Sequence, residues 1–190
     1  MNARAFLTTS IQVGASMGIG DLVCQGLEQR TEVSTWSWNA DRSRIMTAAG
    51  FFVSAPWSHI QYQLFERFVP GNLGFAVAKK VALSALLAPV SISLLFASVL
   101  VLQGKSENVA DKLSKDVIPT WQVGALYWPL VLSVNFRYVP TRHRPLVAAL
   151  FGSVWSVYSA YMANKKEAAT ISLLEDDVES AGMMIEQKKL

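Results

Sequence analysis

Runs of uncharged, mostly apolar residues divide this chain into five stretches, and their lengths predict its architecture. Between Arg44 and Glu66 lie 21 uncharged residues, between Lys80 and Lys105 there are 24, between Asp116 and Arg137 there are 20, and between Arg144 and Lys165 another 20. A helix crosses roughly 30 Å of hydrocarbon with about 20 residues, so each of these runs is long enough to span a bilayer. The first run, Ala5 to Gly20, holds 16 residues and is diluted by Thr8, Thr9, Ser10 and Gln12. Only Arg4 precedes it and its middle is polar for a secretory leader, so it reads as a short first span.

Backbone in lipid must satisfy its own hydrogen bonds, which makes every span a helix. The pattern therefore predicts an all-α fold: an integral membrane helical bundle of four to five transmembrane helices over residues 1–164, then a polar C-terminal tail over 165–190. The spans fall near 5–23, 45–65, 81–102, 117–136 and 146–163. Pro56, Pro89 and Pro129 each interrupt one span and predict kinks, with Ser54, Ser58, Ser84 and Ser133 near enough to bond the carbonyls that the prolines free. Ser10, Gly14 and Gly18, and again Gly152, Ser156 and Ala160, repeat small residues at helical spacing and predict close helix contacts. Between Gln103 and Asp116, Val109, Leu113 and Val117 share one face while Lys105, Lys112 and Lys115 lie elsewhere. That predicts a short amphipathic helix over 105–116 at the membrane surface. Trp36, Trp38, Trp121, Tyr127, Tyr158 and Tyr161 fall near the expected edges, where aromatic rings suit headgroup depth. Lys and Arg divide seven to ten between the two sides of a five-span topology, a bias too small to set its orientation.

Composition agrees: 52% hydrophobic and 16% charged residues leave little to coat a water-facing surface. The net charge is +3 and the 17 Lys and Arg are scattered, so the lipid bilayer and no nucleic acid is the expected partner. One cysteine, Cys24, forms no internal disulfide, and the chain lacks an Asn-x-Ser/Thr sequon; an intracellular membrane fits both. There is no Gly-rich phosphate loop, no paired Cys or His ligand spacing and no Gly-x-Ser-x-Gly elbow, so neither an enzyme nor a cofactor or metal is expected.

His59 is the one histidine inside a span, with Pro56 and Tyr62 three residues to either side and on the same helical face. Ionisable groups within a membrane face the bundle interior or a wet cavity, so His59 and Tyr62 are pathway candidates; the alternative is a neutral structural histidine. Asp21 at the end of the first span, and Glu66 with Arg67 at the end of the second, read as interface anchors or interhelical pairs.

From Asp116 onward the chain reads Trp128-Pro129, Asn135-Phe136, Val139-Pro140, Arg144 and Trp155. Earlier come Gly20-Asp21 with Gln25, Arg42 with Gly50, then Pro56, His59 and Tyr62, and later Pro89 and Gly104-Lys105. Over roughly residues 14 to 162 this succession resembles the Mpv-seventeen family, which includes the twenty-two-kilodalton peroxisomal membrane protein. The resemblance implies a helical protein of the mitochondrial inner membrane or, as the alternative, the peroxisomal membrane. Several members look like channels for small metabolites or ions, and a non-conducting scaffold or homo-oligomer is the rival reading. Asp21, Pro56, His59, Tyr62, Trp128, Pro129, Asn135, Phe136, Pro140, Arg144 and Trp155 match the family pattern and are its fold or pore candidates here. Leu83-Ser84 and Leu132 stand where relatives often carry polar residues, and Trp155-Ser156 replaces a Trp-Asn pattern, which makes the middle of this bundle less polar.

Overall fold

The charge-free runs fold as helices, and the way each begins follows from its punctuation. The computed structural model describes residues 3–29, 38–70, 74–138 and 150–164, and no strand occurs among them. Helix α1 covers Ala3–Glu28. Asn39 caps α2 (Ala40–Ala49), its side-chain oxygen accepting from the Arg42 N–H at 3.0 Å. Gly50–Ser54 widens into a π-helical turn that runs directly into α3 (Ala55–Phe68), with Pro56 in its first turn. Proline has no N–H and its ring crowds the carbonyl four residues back, and the wider turn ahead of it absorbs both defects. The Ala55 N–H reaches the Gly50 carbonyl, five residues back. After α4 (Gly74–Leu102) a 3₁₀ turn at Ser106–Asn108 leads into α5 (Val109–Tyr138), and residues 150–164 form α6.

Successive helices run in alternating directions, as in an up-and-down bundle. Phe6 meets His59 while Asp21 meets Arg42, which sets α1 antiparallel to the α2–α3 rod. Trp57 reaches Ser91 on α4, Trp121 reaches Ala85 from α5, and Lys112 and Tyr127 of α5 reach Met162 and Phe151 of α6. Of the four to five spans expected, one helix among those described is both long and apolar enough to cross a bilayer. It is α4, whose 29 residues rise about 44 Å. The others fall short for visible reasons. Helix α1 carries Thr8, Thr9, Gln12 and Asp21; the π turn divides the second rod into helices of 10 and 14 residues; and α5 mixes Pro119, Trp121, Gln122 and Pro129 into its apolar part.

Pro89 and Pro129 lie inside helices that continue through them, whereas Pro56 stands in the first turn of α3, and one freed carbonyl has a partner the spacing did not name. Pro89 leaves the Ala85 carbonyl without its helical donor, and the indole N–H of Trp121 on α5 donates to it at 2.8 Å. Ser58 Oγ donates to the Ser54 carbonyl at 2.8 Å, an acceptor that Pro56 does not free, since the missing proline N–H faces Phe52. The segment expected as a separate amphipathic helix over 105–116 is instead the 3₁₀ turn and the opening of α5, and its Lys112 is buried.

Small residues set the closest approaches. A Cβ on Gly50 would stand 3.0 Å from the Gly14 Cα, so the π turn crosses α1 glycine on glycine. A Cβ on Gly20 would stand 2.7 Å from the Ser156 Cβ and 2.8 Å from its carbonyl carbon, where no flexible side-chain end exists to move aside. Gly26, on the same helix, has open space. Gly20→Ala is therefore expected to destabilise the protein by about 1–3 kcal/mol through overpacking, whereas Gly26→Ala gains up to about 1 kcal/mol of helix propensity. Thermal unfolding of both variants in mild detergent checks the contrast, and equal melting temperatures contradict it.

Candidate functional site

Helical spacing places Asp21, Cys24, Gln25 and Glu28 on one face of the last two turns of α1, and the first turn of α2 brings Arg42 and Ser43 against them. Asp21 is fully buried, and a carboxylate out of water needs every oxygen bonded. Its Oδ1 accepts from Arg42 Nε at 2.7 Å, and its Oδ2 from both Gln25 Nε2 and Ser43 Oγ at 2.7 Å. Arg42 Nη1 donates to Glu28 Oε2 at 2.7 Å, so one guanidinium fork ties two carboxylates on α1 to α2. Gln25 closes the loop by accepting from the Asn39 N–H at 2.9 Å, and Trp38 Nε1 donates to Ser43 Oγ at 3.1 Å. Burial opposes the charge on Arg42, but the Glu28 hydrogen bond and the charges of Asp21 and Glu28 outweigh it and hold the guanidinium above its ordinary value.

Cys24 lies inside this network, its thiol donating to Glu28 Oε1 at 3.3 Å and Arg42 Nη2 lying 3.4 Å from its sulfur. Burial, and then the charge and hydrogen bond of Glu28, push the thiol up to about 12. The neutral form is thus the one present until the medium becomes strongly alkaline. Maleimide labelling of the folded protein at pH 8 is expected to run at least ~100-fold slower than after denaturation. Comparable rates would show that the thiol is neither buried nor neutral.

A second buried network joins α4, α5 and α6. Lys112 Nζ lies 2.9 Å from Asp116 Oδ2 one turn along α5, with both side chains under 5% exposed at 3% and 4%. The ammonium also donates to the Met162 carbonyl at 2.6 Å and stands 5.4 Å from the Phe96 ring centre. Nearby, Gln103 Nε2 donates to Asn164 Oδ1 at 3.0 Å, joining the end of α4 to the end of α6.

Towards the opposite end, part-buried side chains of α3 and α4 meet. Trp57 Nε1 and Gln61 Nε2 on α3 both donate to Ser91 Oγ on α4, at 2.7 and 3.4 Å. The His59 ring meets Phe6 edge-on at 5.4 Å, and its Nε2 is buried with no hydrogen-bond partner among the described residues. Between α5 and α6, Tyr127 stacks on Trp155 at 5.6 Å and donates to the Phe151 carbonyl at 2.7 Å, while Trp128 meets Trp155 at 6.0 Å. Gly124 gives that indole its place, since a Cβ there would stand 3.0 Å from the Trp155 ring.

The family-pattern residues thus divide into separate places. Asp21 is an interhelical ion-pair partner. Phe6, which touches His59, precedes Asp21 by fifteen positions, about 22 Å along α1, so His59 and Asp21 belong to opposite ends. Pro56 stands behind the π turn, Trp128 and Trp155 share one aromatic cluster, and Pro129 lies within α5. Tyr62 lies on α3, and Asn135 and Phe136 on α5, but their side chains fall outside the described residues, as do Pro140 and Arg144 altogether. Reading by composition passed over Arg42, Gln25, Glu28, Lys112 and Asp116 as network members; the signal available was the four-residue spacing of Asp21 with Gln25 and of Lys112 with Asp116.

Residues 100–160, which include the Lys112–Asp116 pair and the cluster of Tyr127, Trp128 and Trp155, match the profile of the Mpv17 / PMP22 family. Mitochondrial inner membrane protein Mpv17 of Danio rerio is 30% identical over 158 residues, covering 82% of this chain and 88% of the relative. The chain belongs to the Mpv17 / PMP22 family. Peroxisomal membrane protein 2 of Bos taurus is also 30% identical over 158 residues, 81% of each chain. PXMP2/4 family protein 2 of Dictyostelium discoideum is 26% identical over 171 residues, 88% of this chain and 89% of the relative. No solved structure matches the chain. The family assignment agrees with the one drawn from the Trp-Pro, Asn-Phe and Val-Pro series, and it places the second buried ion pair inside the matched region.

Proposed function

We propose that this member of the family is an integral membrane protein of the mitochondrial inner membrane that passes small metabolites or ions through a bundle of four to five transmembrane helices. The carrying observation is the part-buried polar belt of Trp57, Gln61 and Ser91 on facing α3 and α4; on the other face of α3, towards Phe6 of α1, His59 has a buried nitrogen that lacks a partner among the described residues. Such groups inside otherwise apolar helices are costly in lipid and are found where they line a wet path. The name of the Danio rerio relative supports the mitochondrial membrane, and that of the Bos taurus relative supports the peroxisomal membrane as the alternative.

Reconstituted in planar bilayers, the protein is expected to give discrete currents, and Gln61→Leu with Ser91→Val to lower their conductance while protease protection shows unchanged insertion. Silence from inserted wild-type protein removes the conducting reading. A non-conducting scaffold is then the better account, favoured by Leu83, a large apolar side chain exposed on α4 at a position where the family pattern is often polar. That reading expects a homo-oligomer or a stable protein partner after mild extraction.

A further inference from the structure

The two ionic networks lie at the same end of the bundle. Asp21 and Arg42 mark the end of α1 and the start of α2; Leu102, Lys112 and Asn164 mark the end of α4, the start of α5 and the end of α6. The close packing is there too. On α4, Ile92, Leu95, Phe96, Val99 and Leu100 are buried and no residue of 74–91 is; on α6, burial begins at Ser156 and none of 150–155 is buried. On α4 and α6 the buried positions thus gather at the end of the ionic networks, while towards the other end burial on these two helices gives way to isolated buried residues elsewhere, among them Ser10, Phe65 and Val131.

Each network ties helices within a group. Arg42 bonds α2 to α1, whereas Lys112 and Gln103 bond α4, α5 and α6 to one another. Between the two groups, the contacts seen among the described residues are of another kind. Gly20 lies against the Ser156 backbone, Ser16 Oγ and Ser156 Oγ are 3.1 Å apart, and Met46, Ala49 and Cys24 share an apolar cluster with Val99 and Ala160. In lipid such a seam is held by van der Waals packing and few hydrogen bonds, whereas separating a buried ion pair leaves uncompensated charges. Further along, Trp57 and Gln61 still join α3 to α4 through Ser91.

We propose that the seam between α1 and α6 at Gly20, Ser16 and Ser156 is the gate of the conducting path, shut in this structure. The α1–α2 pair, stiffened by Asp21, Glu28 and Arg42, rocks as a unit away from α4, α5 and α6, with the Trp57–Ser91 contact as pivot. The inference rests on the conducting reading above and adds where the path is closed and what moves.

The test is a reversible staple across the seam. Ser16→Cys and Ser156→Cys, in a Cys24→Ser background, place two sulfurs within bonding reach, since the native oxygens are 3.1 Å apart and an S–S bond is about 2.05 Å. In reconstituted vesicles the oxidised protein is expected to lose current or solute efflux by about tenfold or more, and reductant to restore it, because a staple removes the open population. Unchanged flux with the disulfide confirmed by mass overturns the gate while leaving the channel standing. Silence from inserted wild-type protein overturns the conducting reading, and the gate with it. Alkylation gives an independent second readout: Ala160→Cys, buried at the seam, is expected to react with a water-soluble maleimide only in the unstapled protein. Full protection of that cysteine in a conducting, unstapled protein also overturns the proposal.

Discussion

Replacing Arg42 with methionine is expected to destabilise the protein by about 3–5 kcal/mol, because it strands a fully buried carboxylate. Asp21 would keep the Gln25 and Ser43 bonds but lose the only charge among its named partners, and Glu28 would lose the same guanidinium. Arg42→Lys should fall between the two, since a lysine preserves the charge and not the fork that spans both carboxylates. The control is Arg44 two positions on, whose pair with Asp41 is exposed at 78% and 83%. Exposed pairs contribute about 0–1 kcal/mol, so Arg44→Met should leave the melting temperature nearly unchanged. Thermal unfolding of the three variants in one detergent decides the matter. Equal losses at positions 42 and 44 would mean that the Asp21 network carries no special share of the stability.

The contrast between these two arginines also shows where sequence reading reaches its limit. Both flank the same apolar run, and only the fold tells them apart: α2 turns Arg42 towards α1 and Arg44 away from it. Properties that depend on one helix at a time were legible. The uncharged run between Lys80 and Lys105 lies almost wholly within α4, and of the small-residue repeats Gly14 and Gly18 do mark close crossings, whereas Gly152 has open space. Properties that depend on two helices were not. The Ala85 carbonyl freed by Pro89 finds its donor in Trp121, thirty-six positions away on α5, so no local spacing names it. The π turn before Pro56 likewise combines a local defect with a crossing against Gly14, and it splits into two helices what the charge pattern presents as one span. His59 entered the candidate set as the one histidine inside a span and Asp21 as a charge at a span's end, both also matching the family pattern, while their separation to opposite ends needed the antiparallel course of α1 and α3.

Lys112 gives the sharper case, and the second large effect. A one-helix argument assigns it to a wet face because Val109, Leu113 and Val117 occupy the other, but α6 covers that face and encloses the ammonium with Asp116, the Met162 carbonyl and the Phe96 ring. Lys112→Met should therefore cost about 3–5 kcal/mol, the amount lost when one member of a buried pair is left without its counter-charge. Lys112→Met combined with Asp116→Leu should recover most of that loss, since two apolar residues of similar volume require neither charge to be desolvated. The two residues touch, so their effects are not expected to add, and the difference between the double variant and the sum of the singles measures the coupling. Additive losses would contradict a closed, buried pair. Recovery of stability together with unchanged flux would show that the pair stiffens the α4–α5–α6 group through packing, and that its charges take no direct part in conduction.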